Sequence, residues 1–272
     1  MNPSLAVFLQ SLLPQHLLST VAGKIADSRI PWVKNFFIHQ FIQHYCINMS
    51  EARIEDPEAY PTFNEFFIRQ LKPHLRPIAE GQQLASPVDG TIAQIGRIRK
   101  NQLLQAKGHY FDLETLLGHH PTLAQTFYDG AFATLYLAPY NYHRVHMPLT
   151  GTLREVIYVP GKLFSVNRMT SELVPQLYSR NERLICIFNT AIGQMAVILV
   201  GALIVGSIQT AWGSRSLPSA PLQLSKGTEL GYFKLGSTVI LLCEKDKIEW
   251  NPQLTMNSTL QLGQPLASLA SY

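Results

Sequence analysis

Three short stretches of the sequence place reactive side chains beside residues that bend the backbone. They are SPVDGTI with Asp89, YLAPYNYHRVHMP with His143 and His146, and LGST with Ser237. A carboxylate, a histidine and a serine are the parts of an activated nucleophile, in which the histidine removes the serine proton and the carboxylate orients the histidine. The G-x-S-x-G motif of serine hydrolases is missing, so these residues favour another chemistry.

Each stretch also has an interpretation without chemistry. Asp-Gly is a strong turn dipeptide, so Asp89 can serve only to form a turn. His143 and His146 lie three residues apart and can be two buried, hydrogen-bonded histidines; as a metal pair they lack a third ligand at matching spacing. Gly236 and Ser237 can form a tight turn into the apolar run that follows. The alternative is that the Gly236–Ser237 bond is itself a reaction site.

The first 50 residues predict a helical segment. Asp27 is their only acidic residue, and Pro14 and Pro31 are each placed to begin a helix. Residues 31–46 predict an amphipathic helix whose apolar residues recur at helical spacing: Trp32, Val33, Phe36, Phe37, Ile38, Phe41, Ile42 and Tyr45. Its polar face carries Lys34, Asn35, His39, Gln40, Gln43 and His44. Such a helix can pack on a core, or it can lie in a membrane interface, where a polar face without acids does not repel anionic headgroups.

The rest of the chain predicts a helix followed by strands. Residues 60–78 predict a helix that begins with a capping box of Thr62 and Glu65 and ends at Pro73. From Ser86 onward, short runs rich in Val, Ile, Tyr and Leu alternate with Gly, Pro and Asn turns. The sequence therefore predicts an α+β fold, with amphipathic N-terminal helices followed by a β-rich body of mainly antiparallel sheets.

One apolar stretch is long enough to imitate a membrane span. Residues 184–213 contain no Asp, Glu, Lys or Arg, and a span needs roughly 20 apolar residues. Glycines at positions 193, 201 and 206 divide the stretch into short runs of Val and Ile. Two consecutive buried strands explain this texture better than one helix.

The composition narrows the class of protein. The chain has 272 residues, of which 46% are hydrophobic and 15% charged, with a net charge of +4. This mild basic excess without a Lys/Arg-rich stripe favours an anionic membrane and gives no support to nucleic-acid binding. Cys46, Cys186 and Cys243 are odd in number and far apart, which indicates a reducing compartment. The N-terminus lacks the basic region and cleavage site of a secretory signal.

The sequence resembles the phosphatidylserine decarboxylase family, in the proenzyme form of bacteria and mitochondria, over nearly its entire length. Six blocks carry the resemblance, in this order: TFNEFFIRQLKPHLRPI (62–78), SPVDGTI (86–92), YLAPYNYHRVHMP (136–148), IYVPGKLFSVN (157–167), SRNERLICIFNT (179–190) and ELGYFKLGSTVI (229–240). LGST alone would mean little, but six ordered blocks make the match specific.

The resemblance implies self-cleavage at Gly236–Ser237. Ser237 Oγ would attack the Gly236 carbonyl, and elimination and hydrolysis would leave a covalent pyruvoyl group at position 237. The resemblance assigns the base to His146 and its orienting carboxylate to Asp89, in a triad with Ser237. It further implies that the pyruvoyl group forms a Schiff base with phosphatidyl-L-serine, which releases carbon dioxide to give phosphatidylethanolamine. His143 is the candidate general acid or headgroup contact, and no metal is implied.

The resemblance also sets the expected organisation. Residues 1–50 would be a membrane-associating segment and residues 51–272 the catalytic domain, cut into a β chain, 1–236, and an α chain, 237–272, that stay together. The protein would lie on the cytoplasmic face of an inner membrane, as a peripheral protein that meets its phosphatidylserine substrate there, and a homodimer is compatible with the family. Three other interpretations stay open: a pyruvoyl decarboxylase for a soluble amino acid, a non-catalytic membrane-binding β module, and a metallohydrolase that uses the two histidines.

Overall fold

A computed structural model describes residues 14–106, 108–202, 208–234 and 237–270. These residues form seven α-helices: α1 (Gln15–Ala26), α2 (Pro31–Tyr45), α3 (Phe63–Phe67), α4 (Leu113–Leu116), α5 (Pro121–Thr126), α6 (Arg168–Leu173) and α7 (Leu177–Arg180). Two 3₁₀ turns lie at Met49–Glu51 and Pro57–Ala59.

The same residues form sixteen strands. They are β1 (Gln83–Ala85), β2 (Gly90–Arg97), β3 (Gln102–Ala106), β4 (His109–Asp112), β5 (Ala131–Leu137), β6 (Arg144–His146), β7 (Gly151–Val159), β8 (Arg183–Thr190), β9 (Gly193–Val200), β10 (Ile208–Thr210), β11 (Gln223–Leu224), β12 (Glu229–Phe233), β13 (Ser237–Cys243), β14 (Ile248–Trp250), β15 (Thr259–Leu260) and β16 (Pro265–Leu269). Helices first and antiparallel strands afterwards confirm the predicted α+β class.

The N-terminal helices begin where the prolines predict. Pro14 is the N-cap of α1, and Pro31 is the first residue of α2. The apolar side of α2 is divided between two environments. Ile38 is buried, with Phe41, Ile42 and Tyr45 packed around the same cluster, whereas the three large side chains nearer its start are exposed: Trp32, Phe36 and Phe37.

Two details of the N-terminal prediction are wrong. Lys34, predicted on the solvent face, is buried, because its Nζ donates to the backbone oxygen of Glu58 at 2.7 Å. The third helix starts as predicted, with Thr62 Oγ1 accepting from the Glu65 amide at 3.1 Å, but it ends at Phe67 and does not reach Pro73. Residues 70–72 pair instead with residues 51–53, and this backbone pairing replaces further helical turns.

Eight strands form the main sheet, in the order β11-β7-β8-β9-β13-β5-β2-β15, and every neighbouring pair is antiparallel. Side chains cover both faces. On β13, Val239 and Leu241 point into one core cluster, and Ile240 and Leu242 into the other. In the sequence, strands of a sheet that is buried on both faces appear as continuous apolar runs, without the alternation of apolar and polar residues that a half-exposed sheet shows.

This double burial explains the apolar stretch that imitates a membrane span. Its described part forms β8, β9 and β10, which confirms the prediction of consecutive strands; residues 203–207 lie outside the described ranges. Across the ranges that the structure covers, each helix is too short or too polar to cross a bilayer.

Smaller sheets flank the main one, in the orders β10-β12-β6, β1-β16-β14 and β3-β4. The chain therefore leaves the β10-β12-β6 sheet at Phe233 and enters the middle of the main sheet at Ser237. The predicted reaction site lies at this crossing between two sheets.

Candidate active site

Ser237 is the first residue of β13 and is completely buried. Its backbone pairs with Leu137 of β5, and its Oγ has no hydrogen-bond partner among the described residues. A buried hydroxyl without a partner costs free energy, so it needs a reason to be there. The other half of the predicted reaction bond, Gly236, lies outside the described residues.

The sheet brings Asp89 to the same end as Ser237. Thr91, Tyr136 and Thr238 form one row across β2, β5 and β13. Neighbouring strands are about 4.8 Å apart, which places Thr91 about 10 Å from Thr238. Because β2 and β13 both run antiparallel to β5, they run parallel to each other, and the residues just before Thr91 and Thr238 lie at the same end of these strands.

Asp89 is held by an ion pair rather than by a turn. Arg76 donates from Nε to Oδ1 at 3.1 Å and from Nη2 to Oδ2 at 2.8 Å, and the Leu262 amide donates to Oδ1 at 2.7 Å. Arg76 also binds Glu51 at 2.7 Å. The glycine after Asp89 has a packing role, since a Cβ at Gly90 would lie 2.5 Å from the backbone oxygen of Tyr136.

The hydrogen bonds of His146 fix its tautomer. Nδ1 lies 2.8 Å from the carbonyl oxygen of Gly227, which can only accept, so Nδ1 carries the proton of the neutral ring. Nε2 then accepts from the Tyr142 hydroxyl at 3.1 Å. Burial lowers the pKa of His146, and the neighbouring charges of Glu229 and Asp89 partly oppose this. The lone pair of a neutral ring, on Nε2, is what a general base requires.

His143 occupies a different environment from His146. It is completely buried, and its ring stacks on Phe67 with 4.1 Å between the centroids. Nε2 lies 3.3 Å from the Pro139 oxygen, while Nδ1 has no partner within the described ranges. Burial, with the nearby Arg69 cation, lowers the pKa of His143 to about 3, so the ring is neutral at physiological pH.

The structure brings Asp89 and Ser237 to one end of the main sheet, and the His146 amide donates to the Pro87 oxygen, two residues before Asp89. Among the described residues, no hydrogen bond joins the predicted side chains to one another. In the part of the chain that the structure describes, Asp89 bonds to Arg76 and Leu262, His146 bonds to Tyr142 and Gly227, and Ser237 Oγ bonds to nothing. The two histidines face separate surroundings, and the described residues offer no group of three metal-ligating side chains.

A cavity of about 540 Å³ lies beside Asp89, although Ser237, His143 and His146 are not among its lining residues. Asp89 and Tyr142 lie in its wall, together with Arg69 and Arg76. Sequence reasoning missed Tyr142 and Arg76 as site residues. Tyr142 stands four residues before His146, in the same motif, and this proximity is the one signal that could have revealed it.

The comparisons with known proteins all indicate the same family. The sequence model described as Phosphatidylserine decarboxylase matches residues 63–268, and a second one, described as PSD, matches residues 5–46. The chain is 50% identical to the phosphatidylserine decarboxylase proenzyme of Bordetella avium, over 97% of this chain and 94% of the relative. It is 48% identical to the proenzyme of Pseudomonas putida KT2440, over 99% of each chain, and 48% identical to that of Azotobacter vinelandii, over 98% of each.

The buried, neutral His143 predicts a pH-dependent stability. An unfolded histidine titrates near 6.5, and the folded value is about 3. Between these values the unfolded chain binds a proton that the folded chain does not, so stability falls as the pH falls below 6.5. In a Ser237→Ala background, we expect urea unfolding to show a loss between about pH 7 and about pH 4.5 that is about 2–3 kcal/mol larger than in the same chain with His143→Gln. Equal losses in both chains would contradict this prediction.

Proposed function

The chain belongs to the phosphatidylserine decarboxylase family and is thus a carboxy-lyase, and we propose that it matures by cutting itself between Gly236 and Ser237. The observation that carries this proposal is the position of Ser237 as the first residue of the central strand, completely buried, with an Oγ that has no hydrogen-bond partner among the described residues. Within the same ranges, Thr134, Ser179 and Thr238 also have buried hydroxyls without a partner, but they do not begin a strand at this crossing between two sheets. The Ser237 hydroxyl fits a nucleophile that is consumed during maturation, because after the cut no hydroxyl is left to satisfy.

The self-cleavage begins with proton removal from Ser237. Its Oγ attacks the Gly236 carbonyl carbon and the amide becomes an ester, with the nitrogen of residue 237 released as an amine. Loss of the Cα proton and of the Gly236 carboxylate leaves dehydroalanine, whose hydrolysis releases ammonia and leaves the pyruvoyl group. His146 is the base, because its tautomer leaves the Nε2 lone pair available. To act, Nε2 exchanges the Tyr142 hydroxyl for that of Ser237.

Asp89 supports the base through its charge. It is buried in an ion pair with Arg76, and its negative charge raises the pKa of His146, by less than the Gly227 hydrogen bond and the Glu229 charge do. This opposes the loss of basicity that a dry site imposes on a histidine. The Gly227 carbonyl, rather than Asp89, orients the ring.

The two products of the cut stay associated without a disulfide. Every residue of β13 is buried, and its two edges pair with β5 and β9. The same fragment supplies β15 at the edge of the main sheet and β14 and β16 in another sheet. Burial of this apolar surface stabilises the complex of the 1–236 and 237–272 chains.

The mature enzyme decarboxylates phosphatidyl-L-serine to phosphatidylethanolamine. The pyruvoyl group supplies a ketone that takes up the electrons left when carbon dioxide departs. The chain supports it by keeping the start of β13 dry. To return a proton to the substrate's Cα, His143 would first have to become an imidazolium, and burial together with the Arg69 cation opposes that protonation. A headgroup contact is the other role open to His143.

The N-terminal helices bring this site to the membrane. Eight large apolar side chains on α1, on α2 and in the loop between them are exposed: Leu17, Leu18, Val21, Ile25, Ile30, Trp32, Phe36 and Phe37. Lys24 and Arg29 lie among them and are exposed as well. This apolar ridge, as we call these eight residues, suits a peripheral position on the cytoplasmic face of an inner membrane with anionic lipids. It favours a lipid substrate over a soluble amino acid; a homodimer stays a prediction.

Ser237→Ala removes the nucleophile, so we expect one uncut chain with no decarboxylase activity. Intact mass spectrometry of the purified protein measures both the cut and the modification at position 237. The neighbouring Thr238→Ala, which also removes a buried hydroxyl, is the control and should still be cut. Cleavage of the Ser237→Ala chain at this bond would refute the mechanism.

His146→Asn keeps a donor for the Gly227 carbonyl but removes the base. We expect self-cleavage to slow by roughly 100- to 10,000-fold, the usual contribution of a general base. Gel electrophoresis of newly synthesised protein over time follows the reaction, with the exposed His44→Asn as the control. Normal processing of His146→Asn would remove this residue from the mechanism.

Replacing Trp32 and Phe36 together by Ser shortens the apolar ridge without opening the core. We expect binding to phosphatidylglycerol/phosphatidylcholine vesicles to weaken by at least roughly tenfold, since each side chain loses apolar burial in the interface. Sedimentation with the vesicles measures this. The control replaces Tyr110 and Leu217, exposed to a similar degree on the body, by Ser. Equal binding of the two double variants would contradict an interfacial role for the ridge.

A further inference from the structure

Arg69 is a buried cation with few partners. It follows α3, and its side chain is 6% exposed. The guanidinium lies 5.4 Å from the centroid of the Phe66 ring, and Nη2 makes a long contact of 3.4 Å with the Tyr140 oxygen. Nη1 is buried and has no hydrogen-bond partner among the residues described. Burial lowers the pKa of Arg69, although an arginine still keeps its charge.

The other arginines that are buried or mostly buried in the described ranges have acceptors. Arg76 binds Glu51 and Asp89, and Arg144 binds Glu229 at 2.8 Å. Arg183 donates to backbone oxygens, among them those of Leu116, Thr115, Ser179 and Asn181. Leaving a buried charge without hydrogen bonds is costly. Arg69 thus has the properties of a residue whose acceptor arrives with a ligand.

The position of Arg69 points to the ligand. It lies in the wall of the 540 Å³ cavity, whose wall also carries the amide side chains of Asn48 and Asn141. Asn48 comes shortly after α2, the helix that carries part of the apolar ridge. On the other side, the cavity reaches Tyr142, which binds His146. Arg69 therefore shares a cavity with Asn48, close to the end of α2, and with Tyr142, the hydrogen-bond partner of His146.

We propose that Arg69 binds the phosphodiester of phosphatidylserine in this cavity. The inference rests on the proposed function, because it takes the lipid as the substrate. A guanidinium suits a phosphodiester, whose two free oxygens accept parallel N–H bonds. With the phosphate there, the acyl chains extend toward the ridge and the amino acid part toward the start of β13.

The phosphodiester is a better partner for Arg69 than the carboxylate of the substrate. The carboxylate loses its charge as carbon dioxide leaves, so a cation bound to it would stabilise the substrate more than the transition state. The phosphodiester keeps its charge throughout the reaction. Arg69 consequently contributes binding that is equal in both states, and its loss raises KM more than it lowers kcat.

The first test compares two substrates. In mixed detergent micelles, Arg69→Met should raise the KM for phosphatidylserine by roughly 10- to 100-fold, as for loss of a charge-assisted hydrogen bond. For a long-chain O-alkyl-L-serine, which lacks the phosphate, kcat/KM should change by less than about threefold. Arg69→Lys keeps the positive charge but lacks the two parallel N–H donors of a guanidinium, so it should recover part of the loss. Arg53→Met, which removes an exposed charge nearby, is the control.

An equal loss for both substrates would assign Arg69 a structural role and overturn the proposal. Unprocessed Arg69→Met chains would do the same, because a residue that only binds lipid leaves self-cleavage intact. Intact mass reports the processing.

A binding measurement separates this proposal from the proposed function. In the uncut Ser237→Ala chain, calorimetry with glycerophospho-L-serine should show binding that Arg69→Met weakens by roughly 10- to 100-fold. Equal affinity in both chains would overturn the Arg69 assignment. If the unaltered protein proved not to cut itself, the proposed maturation would fail, and the calorimetric comparison would still decide the role of Arg69.

Discussion

The constraint on which this structure depends is the enclosure of β13. Both of its edges are hydrogen-bonded, to β5 and β9, and both of its faces are covered by core side chains. Ser237 stands at the first position of this strand, so its backbone is placed by seven cross-strand pairs rather than by a loop. The proposed nucleophile gains from such positioning, because less of its own motion has to be lost before it reacts. The next two strands of the sheet, β9 and β8, are also covered by core side chains on both faces. This explains why the sequence between Leu184 and Val200 is so apolar.

Ion pairs with little exposure to solvent connect the segments around β13. Arg76 ties Glu51, which follows the N-terminal helices, to Asp89, just before β2. Arg144 ties β6 to β12 through Glu229, opposite His146 in the register. The ion pairs thus link the segment after α2 to the start of β2, and β6, which carries His146, to β12, the last strand before β13. Each of these ion pairs includes a carboxylate. Arg69 has no carboxylate within ion-pair distance in the described ranges, because the nearby Glu51 and Asp89 are paired with Arg76, and it lines the cavity beside them.

Local patterns in the sequence predicted local structure well. Pro31 and Thr62 mark helix starts because caps and N1 positions are set by neighbouring backbone, and the Val239–Leu242 run is a strand because it is buried on both faces. The errors concern distant partners. The helix after Thr62 stops early because residues 70–72 pair with residues 51–53. Lys34 is buried because its Nζ donates to the backbone oxygen of Glu58, a residue that is 24 positions later in the sequence but only 2.7 Å away in space. Tyr142, as the partner of His146, and Arg76, as the partner of Asp89, likewise depend on contacts that no short motif encodes.

The change of sheet between β12 and β13 has a consequence for assembly. A break there spares the ladders on both sides, since β12 belongs to one sheet and β13 to another. While the chain is whole, β13 inserts between its neighbours as an intramolecular event, at the high effective concentration that a short tether provides. Once it is severed, an unfolded molecule would have to recover its central strand from solution, and the chance of doing so falls with dilution. For a chain cut at this place, as proposed, the native state would form readily only before the cut, and its later survival would depend on the rate of unfolding.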